Sequence, residues 1–282
     1  MDALRVGSQQ DTVARLSYPA AMRIATWNVN SIRTREQRVL RWIQEHSPDV
    51  LCLQETKVND DVFPHDGLRD IGYEAAVFGQ KTYNGVALIS RVPLEDVVCG
   101  LDGDDSDEQA RLIAGTLEGV RVYSAYVPNG SQVGSDKYAY KLNWYARLAE
   151  HLARHESVDQ PLALCGDFNV APSDDDARNI DAWRDSVLCH DAARSALSKV
   201  ADWGLTDAFR SIEPDTGIYS WWDYRRLGFP KNDGLRIDHI YTTSPLLGRA
   251  QAAFVDRDQR KKGACPDGTP PSDHAPVVMD FD

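Results

Sequence analysis

At 282 residues, with 42% hydrophobic, 9% aromatic and 26% charged side chains, the chain has the make-up of a globular protein, which excludes a disordered one. Its 43 acidic and 31 basic residues leave a net charge of −12, opposite in sign to a protein that coats nucleic acid without specificity. Five cysteines, an odd number with no Cys-x-x-Cys pair, argue against a disulfide framework or a zinc knuckle and for a reducing, cytoplasmic setting.

Residues 1–21 hold no continuous apolar segment of the signal-peptide kind and read as a dispensable leader. Residues 22–282 read as one domain, because no Pro/Ser-rich linker divides them. No run approaches the roughly 18 apolar residues of a membrane span. The first predicted strand is Arg23–Val29. Thr34 and Gln37 then resemble a capping box opening a helix to His46, with Val39, Leu40, Trp42 and Ile43 as its apolar stripe. Further short apolar runs follow at Val50–Gln54, Tyr73–Phe78, Val86–Ser90, Leu112–Leu117, Val120–Val127, Leu162–Cys165, Ile237–Tyr241 and Val277–Phe281. Bounded by Gly, Pro, Asn or Asp, they predict strands buried on both faces. Cys52 and Cys165, inside two of them, read as inert core thiols, and Cys265, behind Lys261 and Lys262, as a surface thiol. The acidic run at 102–108 reads as a solvated loop; a calcium loop is the alternative, though its spacing is not that of an EF-hand. Helices are predicted over about Asp136–His155, with Tyr138, Leu142, Tyr145, Leu148 and Leu152 three or four apart, and over about Asp191–Trp203. The pattern is that of a layered α/β sandwich.

Polar residues stand where these runs end. Ile24–Trp27 ends in Asn28, Val50–Gln54 in Glu55, and Leu162–Gly166 in Asp167-Phe168-Asn169; Leu235–Ile237 leads into Asp238, and Ser272-Asp273-His274 precedes the last strand. One acid at a strand end is ordinarily a turn residue or a helix cap; five polar ends together point to a site, since strand ends are where loops of layered α/β folds build one. Carboxylates and amides with a single His and no thiolate suit a hard cation, Mg²⁺ or Mn²⁺. Such an ion polarises a phosphoryl oxygen, and a carboxylate-oriented imidazole can act on a water or a phosphate. No P-loop or Gly-x-Ser-x-Gly elbow is present. The residues therefore predict metal-assisted phosphodiester hydrolysis.

The segments Ala25–Arg33, Leu53-Gln54-Glu55-Thr56-Lys57, Tyr126–Gly130, Gly166–Asn169, Trp222-Asp223-Tyr224-Arg225, Leu235–Asp238 and Ser272–Pro276 together resemble the exonuclease III family of abasic-site endonucleases, within the endonuclease/exonuclease/phosphatase superfamily. The resemblance runs in order through residues 22–282. It implies a four-layer αββα sandwich of two packed mixed or antiparallel sheets flanked by helices. It also implies a monomeric enzyme acting on double-stranded DNA with abasic sites or blocked 3′ ends. Glu55 would be the principal metal carboxylate, joined by Asn28 and Asp273, with Asp167 and Asn169 beside the ion. His274, oriented by Asp238, would act on the phosphate or its attacking water. Asp167 would serve as base, or as acid to the leaving oxygen; Asn169 would stabilise the transition state and Tyr126 would contact the phosphate. Asn30 stands where some relatives carry a second metal-site Asp, which leaves one or two ions open. Asn129, Lys57, Arg225, Trp221 and Trp222 would bind substrate, the tryptophans lining the pocket for an extruded base-less sugar; core packing is the alternative for both indoles.

Basic residues cluster locally. Arg38 and Arg41 of the first helix read as solvated, whereas Arg225, Arg226, Lys231 and Arg236, and Arg257, Arg260, Lys261 and Lys262, precede catalytic segments and read as phosphate contacts. Two other classes compete with the nuclease: an inositol-phosphate or lipid phosphodiesterase of the same superfamily, against which the Trp-Asp-Tyr-Arg segment counts, and a non-catalytic DNA-binding relative, against which the filled site positions count. The net charge then reflects acids that hold a cation as well as the 102–108 run, and local clusters would carry the affinity for DNA.

Overall fold

The computed structural model describes residues 21–282 except 103–106, and of Arg226 the backbone alone. The leader, apart from Ala21, and the middle of the acidic run lie outside the described residues. Among these the chain forms twelve strands: β1 (Met22–Asn28), β2 (Val50–Gln54), β3 (Glu74–Phe78), β4 (Val86–Ser90), β5 (Glu95–Cys99), β6 (Leu112–Leu117), β7 (Val120–Tyr126), β8 (Leu162–Asp167), β9 (Leu205–Asp207), β10 (Asp238–Thr243), β11 (Ala250–Val255) and β12 (Val277–Phe281). The α-helices are α1 (Ile32–His46), α2 (His65–Asp70), α3 (Asp136–His155), α4 (Ile180–Trp183), α5 (Asp191–Ala201), α6 (Ala208–Ile212), α7 (Gly228–Lys231) and α8 (Ser244–Leu247).

One sheet runs β11-β12-β1-β2-β4-β3 and the other β5-β6-β7-β8-β10-β9. Strand alternation builds the layers. Ile24 of β1, Val50 and Cys52 of β2, Val122 of β7 and Cys165 of β8 meet between the sheets. Ala25, Trp27, Leu51 and Leu53 face outward onto Val39, Trp42 and Ile43 of α1. On the other side Tyr123, Leu162 and Leu164 pack against Trp144, Leu148 and Leu152 of α3 and Leu197 of α5. The result is the four-layer αββα sandwich.

Most neighbours are antiparallel, but β1 pairs with β2 and β7 with β8 in parallel. Asn28 lies opposite Gln54, Tyr126 opposite Asp167, and Asp167 opposite Asp238 of antiparallel β10. The carboxyl ends of four strands and the start of a fifth thus share one rim. Asp238 opens its strand instead of closing one, a difference from the sequence reading that leaves it on the same rim. Burial on both faces also fails for β3, an edge strand whose Glu74 is exposed.

The predicted capping box does not form. The helix starts two residues before Thr34, and Ser31 supplies no side-chain cap. Its first donors go to the loop after β2: Ser31 N–H donates to Glu55 O at 2.7 Å and Ile32 N–H to Thr56 O at 3.1 Å. Tertiary acceptors replace the cap and tie α1 to the segment that carries Glu55. Arg38 is 1% exposed, against the reading of a solvated charge. It donates to Thr269 O at 2.6 Å and to the main-chain and side-chain oxygens of Gln259 at 3.3 Å, clamping the approach to Ser272. Cys265 is buried, not a surface thiol.

Candidate active site

At the shared rim the backbone is bent into conformations that most residues avoid. Asn30, Glu55, Lys57 and Asn169 have φ of 46°, 52°, 57° and 50°. Non-glycine residues in this region cost about 1 kcal/mol or more each and concentrate at functional sites. Beneath them a polar network spans the sheets: Gln54 Nε2 donates to Thr26 Oγ1 and Ser124 Oγ, both at 3.0 Å, and Ser124 Oγ donates to Leu53 O. The approach of β7 to β8 is so close that a Cβ at Gly166 would lie 1.9 Å from Ala125 O.

The side chains converge in a chain of contacts. Nδ1 of His274 lies 2.9 Å from Asp238 Oδ2, and its Nε2 lies 3.8 Å from Asp167 Oδ2. Ser220 Oγ accepts from the N–H groups of Ile237 and Asp238, fixing the strand that delivers Asp238. Burial alone would lower the His274 imidazole, but the Asp238 and Asp167 carboxylates carry it up to about 10. Burial raises the Asp167 carboxyl above its ordinary range, with His274 pulling the other way. Burial, followed by the Glu55 and Asp167 charges, holds the Tyr126 phenol well above 10, so it is a proton donor at neutral pH.

Asn28 Nδ2 donates to Glu55 Oε1 at 2.8 Å and to Asp167 Oδ2 at 2.9 Å, and Lys57 Nζ lies 2.7 Å from Glu55 Oε2. Both carboxylates are thus held by N–H donors, the arrangement of an oxygen cluster that needs positive charge. Glu55, Asp167 and His274 bring ligand atoms within 4.8 Å of one another. The carboxylate oxygens are hard donors that fit Mg²⁺ or Mn²⁺, whereas the charged imidazole beside them has no lone pair to offer an ion. Asp273 sits slightly apart, accepting from Asn30 Nδ2 and from Trp221 Nε1, each at 3.0 Å. Burial would raise it, yet the His274 charge and these donors keep it below the usual carboxylate range. Asn169 N–H donates to Asp167 Oδ1, and Asn129 Nδ2 to Asn169 Oδ1, both at 2.9 Å.

Two cavities flank this cluster. One, of 560 Å³, is bordered by Glu55, Lys57, Tyr126, Asn129 and Arg111. The other, of 410 Å³, is bordered by Asn129, Trp183, Leu188, Trp221 and Arg225, with the Trp183 and Trp221 rings edge to face at 5.6 Å. Trp222 faces the other way: it is 0% exposed and its indole N–H donates to Asn232 Oδ1, so it packs the wall behind the site and not the pocket. Arg236, read as a phosphate contact, is 1% exposed and paired with Asp176 and Asp207. Arg260 is buried and donates to Trp222 O. Arg225 is exposed and lies 2.7 Å from Asp223.

Two residues at the site escaped the sequence reading. Lys141 of α3 is buried and donates to Asn129 O at 3.2 Å and to Asn169 O and Val187 O at 2.7 Å, fastening three loops. Burial lowers its ammonium to about 7. Its place on the buried face of α3, one residue before Leu142, was a signal that an apolar-only stripe overlooks. Trp183 stands in a helix of four residues, too short to show a period.

Cooperating carboxylates and one imidazole, gathered from strand ends and the segment before β12 on one rim of an αββα sandwich, define a hydrolase of phosphoester chemistry. Comparison with known proteins agrees. Residues 25–274 match the model of the Endonuclease/Exonuclease/phosphatase family. Exodeoxyribonuclease III of Haemophilus influenzae is 33% identical over 92% of this chain and 100% of its own. An AP endonuclease from Archaeoglobus fulgidus superposes with a TM-score of 0.87 at 40% identity, covering 93% of this chain and 99% of that one. A 3′ phosphatase from Neisseria, solved with a product DNA hairpin, does so with a TM-score of 0.87 at 39% identity over the same shares. The chain belongs to the endonuclease/exonuclease/phosphatase family and, within it, is a nuclease of the exodeoxyribonuclease III type.

Proposed function

We propose that the protein, as a monomer in a reducing cytoplasm, cleaves double-stranded DNA 5′ to abasic sites, leaving a 3′-hydroxyl. We further propose that it trims 3′ ends by exonuclease and end-cleaning activity, in base-excision repair, with Mg²⁺ as its ion and Mn²⁺ as a substitute. The observation that carries this reading is the Asp238–His274–Asp167 alignment beside the cavity bordered by Trp183 and Trp221. A cavity with aromatic walls suits a sugar without a base, whose extrusion costs least because no stacking or pairing is lost.

Glu55 and Asp167, with Asn28 in support, would hold the divalent cation, which supplies Lewis-acid polarisation of a phosphoryl oxygen and charge opposite the leaving oxyanion. The remaining chemistry belongs to the protein's own residues. Asp238 fixes the His274 ring and favours its charged form, so its Nε2–H faces the site as a donor to a phosphoryl oxygen. Asp167, whose Oδ2 lies 3.8 Å from His274 Nε2, takes a proton from the attacking water. Asn169 and the protonated Tyr126 donate hydrogen bonds to the phosphate as negative charge grows on it. Trp221, held by Asp273, forms one wall for the sugar.

The test offers four substrates with Mg²⁺ or EDTA: a duplex with one tetrahydrofuran abasic analogue, an undamaged blunt duplex, a duplex ending in a 3′-phosphate and an inositol polyphosphate. Wild type should cut the first, trim the second slowly, clean the third and leave the fourth, and Glu55→Gln should do none of these. Survival of the abasic duplex would reject the reading, and activity that persists in EDTA would remove the metal from it.

A further inference from the structure

Away from the rim that carries the active site, α3 ends in a cluster that the nuclease does not use. His151 and His155 are four residues apart and therefore share one face of the helix. Their rings are 4.8 Å apart between centroids. Asp102, from the segment after β5, reaches across to both: its Oδ2 is the partner of His155 Nε2 and lies 3.5 Å from His151 Nδ1. All three ligand atoms lie within 4.8 Å of one another. The neighbourhood belongs to the N-terminal half of β7, where Arg121 lies opposite Leu162, toward the other end of the strand pair from Tyr126 and Asp167.

The hydrogen bonds leave His151 one nitrogen short. Tyr123 donates its hydroxyl proton to Glu156 Oε1, which Arg121 Nε also holds at 3.0 Å. The Tyr123 oxygen, 3.4 Å from His151 Nε2, is then left to accept the Nε2–H. His151 Nδ1 therefore carries a lone pair, is buried, and makes no hydrogen bond. That lone pair faces the Asp102 carboxylate. In this tautomer two electron-rich groups meet at one point beside a residue only 5% exposed, an arrangement that a cation between them would satisfy. With Nε2–H kept on Tyr123, a second proton on Nδ1 would make His151 cationic, which its burial opposes.

We propose that His151 Nδ1, His155 Nε2 and Asp102 Oδ2 form a second metal site, distinct from the active site, that takes a borderline transition ion of the Zn²⁺ class. Two imidazoles and one carboxylate are a characteristic set for such an ion, and paired histidines at i and i+4 on a helix present it with two nitrogens at once. The Tyr123–Glu156 relay behind His151 is the outer-sphere support that fixes a ligating imidazole in the right tautomer. All three side chains border a cavity of 470 Å³. The ion would clip the segment after β5 to the end of α3. The oxygen-rich active site prefers Mg²⁺, so the two sites separate by chemistry.

The experiment titrates the metal-free full-length protein with Zn²⁺ in excess Mg²⁺, by calorimetry against a chelator of known affinity, and records the visible spectrum with Co²⁺. Wild type and Glu55→Gln should each bind one Zn²⁺ per chain, and Co²⁺ should show the absorption of a nitrogen-ligated, low-coordinate ion. His155→Ala and Asp102→Ala change partly exposed side chains, so their metal-free melting curves should match wild type. Both should weaken Zn²⁺ at least tenfold while keeping nuclease activity in Mg²⁺. Zn²⁺ affinity unchanged in both variants, binding lost in Glu55→Gln, or no Zn²⁺ bound by wild type at micromolar concentration would each overturn the site.

Discussion

His274 has an acid on each side, and the two do different things. Asp238 is within hydrogen-bond distance and orients the ring, whereas Asp167 stands 3.8 Å from Nε2, leaving room on that side. Asp238→Asn should keep the ring in place but remove the charge that favours imidazolium. Activity should fall by about 10²–10⁴-fold, mostly in kcat, the range of a general acid–base contribution. Folding raises His274 from 6.5 to about 10. Its stabilising contribution is therefore full below about pH 6.5 and is lost as pH rises through about 10. The stability gap between wild type and Asp238→Asn should accordingly narrow between those limits, as followed by urea unfolding; a constant gap would separate Asp238 from the His274 charge. Lys141 acts without reaching the chemistry. Lys141→Met leaves three carbonyls without their donor, so it should cost about 2–4 kcal/mol of stability and lower activity by loosening Asn129 and Asn169. Equilibrium unfolding beside kinetics measures both. At this scale the sequence was legible where a polar residue abuts an apolar run, as at Asn28, Glu55 and Asp167. It was not legible where a side chain works through distant loops, as Lys141 and Arg38 do, because nothing local marks the carbonyls they reach.

Elements deliver these side chains through two parallel pairs, β1–β2 and β7–β8, one in each sheet. Their facing carboxyl ends set Asn28 and Glu55 against Tyr126 and Asp167. The second pair depends on Gly166, which lets the Ala125 carbonyl approach where no Cβ fits. Gly166→Ala should force β7 from β8, cost about 3 kcal/mol or more and displace Asp167; wild-type stability and activity in this variant would contradict the packing argument. The strands buried on both faces, and the edge strand β3, were readable from continuous apolar runs. The others were not, for physical reasons: β5 (Glu-Asp-Val-Val-Cys) is exposed throughout, β9 has three residues, and β11 is half open at a sheet edge. The start of α1 was misplaced because its first donors are satisfied by Glu55 O and Thr56 O, acceptors that a local cap motif does not include.

Across the whole molecule the charge of −12 opposes a polyanion, and the fold buries several of its cations. Arg38, Arg236 and Arg260 are buried, and Arg225 is paired with Asp223. Among the described residues, Lys57, Arg111 and Lys137 border one cavity at the site and are placed to meet phosphates. Affinity for an abasic duplex should fall with salt along a slope of about −3 to −4 in log K against log salt, three or four phosphates at about 0.9 each. A slope near zero, or one near −8, would contradict that footprint. Cleavage of a phosphodiester beside a base-less sugar at this rim is read from the product itself. With a labelled duplex holding one tetrahydrofuran residue, wild type in Mg²⁺ should release a fragment that ends in a 3′-hydroxyl immediately 5′ to the lesion, and Glu55→Gln should release none. An intact duplex, a cut on the 3′ side of the lesion, or the same fragment from Glu55→Gln would contradict it.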